Sequence, residues 1–139
     1  MTSRIWHNPR CGTSRNVLAL LRAAGEAPEV ILYLETSWEE AGLRRLLAAA
    51  GLTAGQALRV KGTSAEERGL TAPEVSEDQI IAAMLADPIL VERPFVETAK
   101  GTALCRPTLS VLPLLARLPE EIVTDAAGKV IYDPSAPPS

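Results

Sequence analysis

Cys11 stands inside the run His7-Asn8-Pro9-Arg10-Cys11-Gly12-Thr13-Ser14-Arg15-Asn16, where turn and cap residues surround a single thiol. A cysteine attacks as its thiolate, and an ordinary thiol with a pKa of about 8.5 is only roughly 3% ionised at neutral pH. Lowering that value by about two units makes most of it reactive. The neighbours supply the means. His7, Arg10 and Arg15 bring donors or positive charge, and the Thr13 and Ser14 hydroxyls can cap a helix or donate to sulfur. Groups that favour a thiolate also favour an oxyanion, so this run has the residue types for nucleophilic attack by sulfur on an anionic group.

Position decides whether those groups act together. The chain up to Trp6 leaves room for one short strand, and from Val17 the apolar residues Val17, Leu18, Leu20, Leu21 and Ala24 recur at helical spacing. Cys11 is therefore predicted at a strand-to-helix turn, facing unpaired backbone N–H groups and the positive end of the helix dipole. Gly25 supplies a helix stop, and 30–34 (Val-Ile-Leu-Tyr-Leu) reads as a buried strand. Strand, helix, strand in so short a span is a βαβ unit with parallel strands and a right-handed crossover. The Cys11 loop then lies at the carboxyl end of the first strand, the edge where α/β sheets bind ligands.

Ser37-Trp38-Glu39-Glu40 fits a capping box opening a helix through Leu43, Leu46, Leu47 and Ala50 to Gly51. A shorter turn from Thr53 carries Ala57, Leu58 and Arg59, and Ser64 to Glu67 permits another. Ser76 to Gln79 caps a clear helix through Ile80, Ile81, Met84 and Leu85, ended by Asp87-Pro88. Beyond Arg93-Pro94, the runs 95–98 and 102–105 read as an antiparallel hairpin turning at Ala99-Lys100-Gly101. The apolar segment 109–118 is expected to be helical from near Ser110, which leaves Pro113 in its first turn. Asp125 to Gly128 is a turn, Lys129 to Tyr132 a short edge strand, and 134–139 a disordered Pro/Ser tail.

The order predicts an α/β fold of thioredoxin/glutaredoxin type: a mixed four-stranded sheet flanked by helices, with a helical insert at about 37–87 between the βαβ unit and the hairpin. Residues 1–133 are read as one domain, in keeping with a chain of 139 residues. Lys and Arg number 14 against 17 Asp and Glu, so the net field suggests neither nucleic acid nor an anionic membrane as partner. Any positive site must be local. One histidine and two distant cysteines match no usual zinc spacing, and no bound metal or cofactor is expected. No apolar run reaches membrane-spanning length, and the N-terminal stretch shows no secretory segment. The expectation is a cytoplasmic protein with reduced thiols.

Four motifs in order, His7-Asn8-Pro9 with Cys11 to Asn16, Leu58-Arg59, Arg93-Pro94, and Gly101-Thr102 with Leu104-Cys105-Arg106-Pro107, resemble the glutaredoxin-dependent arsenate reductases of the thioredoxin fold. The resemblance runs from Ile5 to about Leu118. It implies Cys11 as nucleophile, Arg59, Arg93 and Arg106 around the oxyanion, and Gly12, Thr13 and Arg15 as further substrate contacts. His7 and Ser14 would stabilise the thiolate, His7 by its charge when protonated. Planar guanidinium forks suit a tetrahedral oxyanion, and Arg93 and Arg106 bracket one hairpin, which brings them together. Arg59 rests more on the resemblance.

Arg93-Pro94 is expected to be a cis peptide, as the fold places a cis-proline beside the active cysteine. Three residues after Cys11, where a thioredoxin-type motif has its second cysteine, this chain has Ser14. The apolar flanks of Cys105 mark a core cysteine. The resolving thiol must then be external, and the resemblance implies glutathione as co-substrate and glutaredoxin as partner, with arsenate as substrate. A general glutathione-dependent thiol reductase on the same fold is the enzymatic alternative, and a non-enzymatic RNA polymerase-binding regulator the other. A phosphatase-type loop requires Arg six residues after the cysteine, where this chain has Val17. Glu97, Ala99, Ala103 and Leu109 depart from the family pattern, and Glu97 would oppose an anion if it faced the site.

Overall fold

The computed structural model describes residues 2–136. Its chain divides into two compact units, one formed by the residues up to Leu32 together with those from Arg93 onward, the other by Tyr33–Glu92. The first carries the sheet. β1 (Arg4–Trp6), β2 (Glu29–Ile31), β3 (Phe95–Thr98) and β4 (Gly101–Leu104) form a four-stranded sheet in the order β2-β1-β3-β4. β1 pairs in parallel with β2 and antiparallel with β3, and β3 pairs antiparallel with β4. This mixed sheet is the thioredoxin-like arrangement that the motif order predicts.

Helix α1 (Gly12–Ala23) connects β1 to β2 and buries Val17, Leu18, Leu20 and Leu21. That stripe packs with Ile5 of β1, Val96 of β3, Cys105, and Val111, Leu114 and Leu115 into the core of this unit. Removing such apolar surface from water is the main force holding the helix to the sheet, about 1.5–3 kcal/mol for each large side chain fully buried.

Strand β2 is shorter than the apolar run 30–34 suggests. β1 offers only three partners, Arg4, Ile5 and Trp6, so the ladder ends at Ile31 apart from the His7 N–H bond to the Ile31 carbonyl. The chain then turns into α2 (Tyr33–Thr36), with Tyr33 buried. Ser37 sits in the left-handed region at φ 63°, ending that helix, so it cannot also cap the next one. The cap of α3 (Glu40–Ala50) is Glu39, without a side-chain bond, and Gly51 ends the helix at φ 71°.

The reciprocal box expected at Ser76 is present in α4 (Glu77–Ala86). Ser76 Oγ accepts from Gln79 N, and Gln79 Oε1 accepts from Ser76 N. A similar exchange joins Thr53 and Gln56 in the turn before Arg59. The second unit extends beyond the expected insert at both ends, from Tyr33 to Glu92.

The segment after β4 corrects the expected α-helix at 109–118. Thr108–Leu114 is a 3₁₀ helix, with Ser110 N bonded to the Pro107 carbonyl and Leu115 N to that of Leu112. The helix starts at Thr108, which leaves Pro113 in its interior, where the ring would clash with the carbonyl four residues back in an α-helix. Lys129–Tyr132 does not join the main sheet. β5 (Val123–Thr124) and β6 (Val130–Tyr132) make their own antiparallel ribbon, and Asp125 Oδ1 closes its turn by accepting from Ala127 N and Lys129 N. Of the expected tail, Asp133 holds Ser135 and Ala136 in a turn, and 137–139 lie outside the described residues.

Candidate active site

The Cys11 loop is built on one short ladder and one helix start. After Trp6 the chain continues through buried His7 and Asn8, and the Asn8 carbonyl accepts the Cys11 N–H at 3.0 Å. Cys11 is the N-cap of α1, extended at φ −92°, ψ 122°, and its carbonyl accepts the Arg15 N–H at 3.0 Å. The sulfur therefore lies at the first turn of a helix whose leading N–H groups have no intrahelical acceptor.

The hairpin delivers the arginines. Phe95 pairs with Leu104, and Cys105 N bonds to the Pro94 carbonyl, so Arg93 and Arg106 flank the end of the same ladder. Because β3 runs antiparallel to β1, with Phe95 opposite Trp6, that end is the Cys11 end. Arg106 Nη1 lies 3.6 Å from Cys11 Sγ and donates to the Arg93 carbonyl at 2.9 Å. Arg93-Pro94 is cis, as expected, and Arg106-Pro107 is cis as well.

Partial burial by itself raises the Cys11 thiol. The Ser14 backbone N–H and hydrogen bonds from the Arg93 and Arg106 guanidinium groups outweigh it and leave the thiol below its ordinary value. Arg93 contributes a direct charge effect too. Its Nε and Nη1 are buried and meet no acceptor among the described residues. Buried donors without acceptors are costly, at about 1–3 kcal/mol or more for a charged group, so they mark a place where an anion would be welcome.

His7 stands behind this site. Its Nδ1 is 2.7 Å from Ser14 Oγ, which also accepts the Asn8 N–H at 3.1 Å. Burial, followed by the charges of Arg22 and Arg15, lowers the His7 pKa, so the ring is neutral at neutral pH. It cannot then supply the positive charge that the sequence reading gives it. A neutral ring still shares a hydrogen bond with the Ser14 hydroxyl through Nδ1, the direction set by its tautomer.

Ser14 is fully buried, and what it presents to sulfur is its backbone N–H rather than its hydroxyl. Arg15 is exposed and donates from Nη1 to the Pro9 carbonyl at 2.9 Å, bracing the loop from outside. Gly12 is exposed, and a Cβ there would meet only Arg15 Nη2 at 3.7 Å. Thr13 is half-buried. Arg59 belongs to the second unit, where Nη1 pairs with Glu92 at 3.2 Å and Nε donates to the Lys61 carbonyl.

Two residues gain new readings. Glu97 pairs with Arg4 across the sheet, at the end of β1 remote from the Cys11 loop. Its carboxylate accepts from Thr102 Oγ1 at 2.8 Å and lies 4.0 Å from Arg4 Nη1, so it does not oppose an anion at Cys11. Asn8 is the residue that sequence reasoning passed over. Asparagine before proline is a turn-forming signal, and here Asn8 Oδ1 accepts the Arg10 N–H at 3.0 Å.

Cys105 is fully buried, and burial pushes its thiol up to about 12. Both cysteines are free thiols. Among the described residues no group of three or more His, Cys, Asp or Glu could hold a metal ion, and no helix is long and apolar enough to cross a membrane.

Comparison with known proteins gives a consistent set. The model of the ArsC family matches residues 6–113. An arsenate reductase of Rhizobium meliloti is 48% identical over 94% of this chain and 99% of its own. One from Escherichia coli is 43% identical over 94% of this chain and 93% of its own. Among solved structures, the arsenate reductase from Vibrio cholerae superposes with a TM-score of 0.77 at 40% identity, covering 83% of this chain and 98% of that one.

Proposed function

This chain belongs to the ArsC family, and from that premise we propose that it is an arsenate reductase using Cys11 as its single redox thiol, with glutathione and glutaredoxin as reductant. The observation that carries the reading is the pair of guanidinium groups converging on a depressed thiol, one of them with buried N–H groups that meet no acceptor among the described residues. Such an arrangement suits a tetrahedral oxyanion docked against a nucleophilic sulfur. Arg93 and Arg106 bind arsenate, with Gly12 and Thr13 offering helix N-terminal N–H groups. Arg59 is assigned to the oxyanion on the family resemblance. Arg15 braces the loop, and His7 and Ser14 support the thiolate through Ser14.

In the first step the Cys11 thiolate attacks arsenic and forms a sulfur–arsenic bond. An arsenate hydroxyl group takes up a proton and leaves as water. Glutathione thiolate next attacks the Cys11 sulfur. The sulfur–arsenic bond breaks with its electron pair passing to arsenic, so arsenic(V) becomes arsenic(III) and leaves as arsenite. The two sulfurs are oxidised together to a Cys11–glutathione disulfide. A glutaredoxin thiolate then takes the glutathionyl group by thiol–disulfide exchange and releases Cys11 as thiolate. Cys105 takes no part, since a buried thiol with a pKa of about 12 is neither ionised nor accessible. The reaction belongs to a reducing compartment, and we place the protein in the cytoplasm.

The test couples arsenate to NADPH oxidation through glutathione reductase, glutathione and glutaredoxin. Arsenate-dependent turnover is expected, lost in Cys11→Ser and mostly kept in Cys105→Ser. Turnover of disulfide substrates without any arsenate-dependent signal would favour the general thiol reductase instead.

A further inference from the structure

Asn8 precedes the nucleophile by three residues and is only 3% exposed. Three hydrogen bonds converge on it: its carbonyl accepts from Cys11 N at 3.0 Å, its side-chain Oδ1 from Arg10 N at 3.0 Å, and its own N–H donates to Ser14 Oγ at 3.1 Å. Each bond ends on a different part of the loop. Pro9 has no N–H, so within the Pro9-Arg10 turn the Arg10 N–H is the one main-chain donor available, and the carboxamide oxygen takes it. The bond to Ser14 ties the same residue to the first turn of α1, whose Ser14 N–H faces the sulfur.

We propose that Asn8 is the positioning residue of the nucleophile: by holding the Arg10 N–H, its carboxamide oxygen fixes the Pro9-Arg10 turn and so keeps Cys11 Sγ against the Ser14 N–H and Arg106. This rests on Cys11 being the attacking group. Asn8 works through the loop and touches no substrate. The charged and titratable groups around Cys11 are the exposed Arg10 directly before it, Arg93 ahead of β3, Arg106 after β4, Arg15 of α1 turned to the Pro9 carbonyl, and His7 behind Ser14. Substitution at Asn8 alters none of them chemically.

Alanine keeps both main-chain bonds of residue 8 and removes only the acceptor for Arg10. Leucine also removes it while filling nearly the same space, and serine offers a shorter, weaker acceptor two residues back. The measurement is the pH dependence of Cys11 alkylation by iodoacetamide in the full chain carrying Cys105→Ser, with circular dichroism to confirm folding. Asn8→Ala is expected to move the midpoint upward, each unit lowering the rate at pH values below it about tenfold, and to reduce kcat for arsenate. Asn8→Leu gives the same reading if the alanine variant does not fold. Asn8→Ser should fall between these and the parent. An unmoved midpoint in a folded variant lacking the acceptor, or a serine variant no closer to the parent than alanine, overturns the proposal. Alkylation needs no arsenate, so this result is separate from the loss of turnover in Cys11→Ser that tests the nucleophile itself.

Discussion

Arg106 reaches two acceptors with one nitrogen, the Cys11 sulfur and the Arg93 carbonyl, and so couples the orientation of both arginines to the thiolate. A lysine keeps the charge but loses the planar fork, which makes the substitution informative. Arg106→Lys should lower kcat/KM for arsenate on the order of 10–100-fold, about 1.4–2.7 kcal/mol of transition-state stabilisation, while KM for glutathione changes little. Steady-state kinetics with each substrate varied separately would show it, and equal effects on both would argue against an oxyanion role. His7 has a thermodynamic signature of its own. With its pKa lowered from 6.5 in the folded protein, the unfolded chain takes up a proton there first as pH falls. Stability from this residue is therefore present above pH 6.5 and lost as pH falls toward the folded-state value. Urea unfolding below pH 6.5 should show a steeper decline for the parent than for His7→Gln. Parallel curves would mean that His7 is not held neutral.

What could be foreseen in each element follows from how local its cause is. The box at Ser76 and Gln79 is closed by residues three apart, so its spacing in the chain was sufficient to place α4. Ser76→Ala should cost about 0.5–2 kcal/mol, read as a lower urea midpoint with an unchanged slope. Ser37 offers the same spacing and fails, because residue 37 is occupied in ending α2 in a left-handed conformation. Tyr33 and Leu34 read equally well as strand, and what decided against it was the three-residue length of β1, a property of the partner and not of the run itself. The 3₁₀ helix around Pro113 and the pairing of β6 with β5 have nearby causes instead, the proline itself and the turn closed by Asp125. In the site, Cys11 at the helix start and the hairpin arginines were legible because turn residues and prolines mark them. The neutral state of His7 was not, since it depends on burial and on Arg22 and Arg15. Nor was the remote position of Glu97, which follows from its pairing with Arg4.

Taken whole, the molecule carries a net charge of −3 and yet gathers cationic side chains at one sheet edge around a single accessible thiol. Its other thiol is closed inside the core. Under the proposed function such a chain starts a reduction that an outside thiol completes, because Cys105 is buried and Cys11 is the thiol left accessible. Peptide mass spectrometry of the full-length protein after incubation with glutathione and arsenate, without glutaredoxin, tests this division of labour between the two thiols. A glutathione adduct is expected on the peptide containing Cys11, formed only when arsenate is present, with Cys105 unmodified. An adduct on Cys105, a Cys11–Cys105 disulfide, or no arsenate-dependent modification of Cys11 would contradict it.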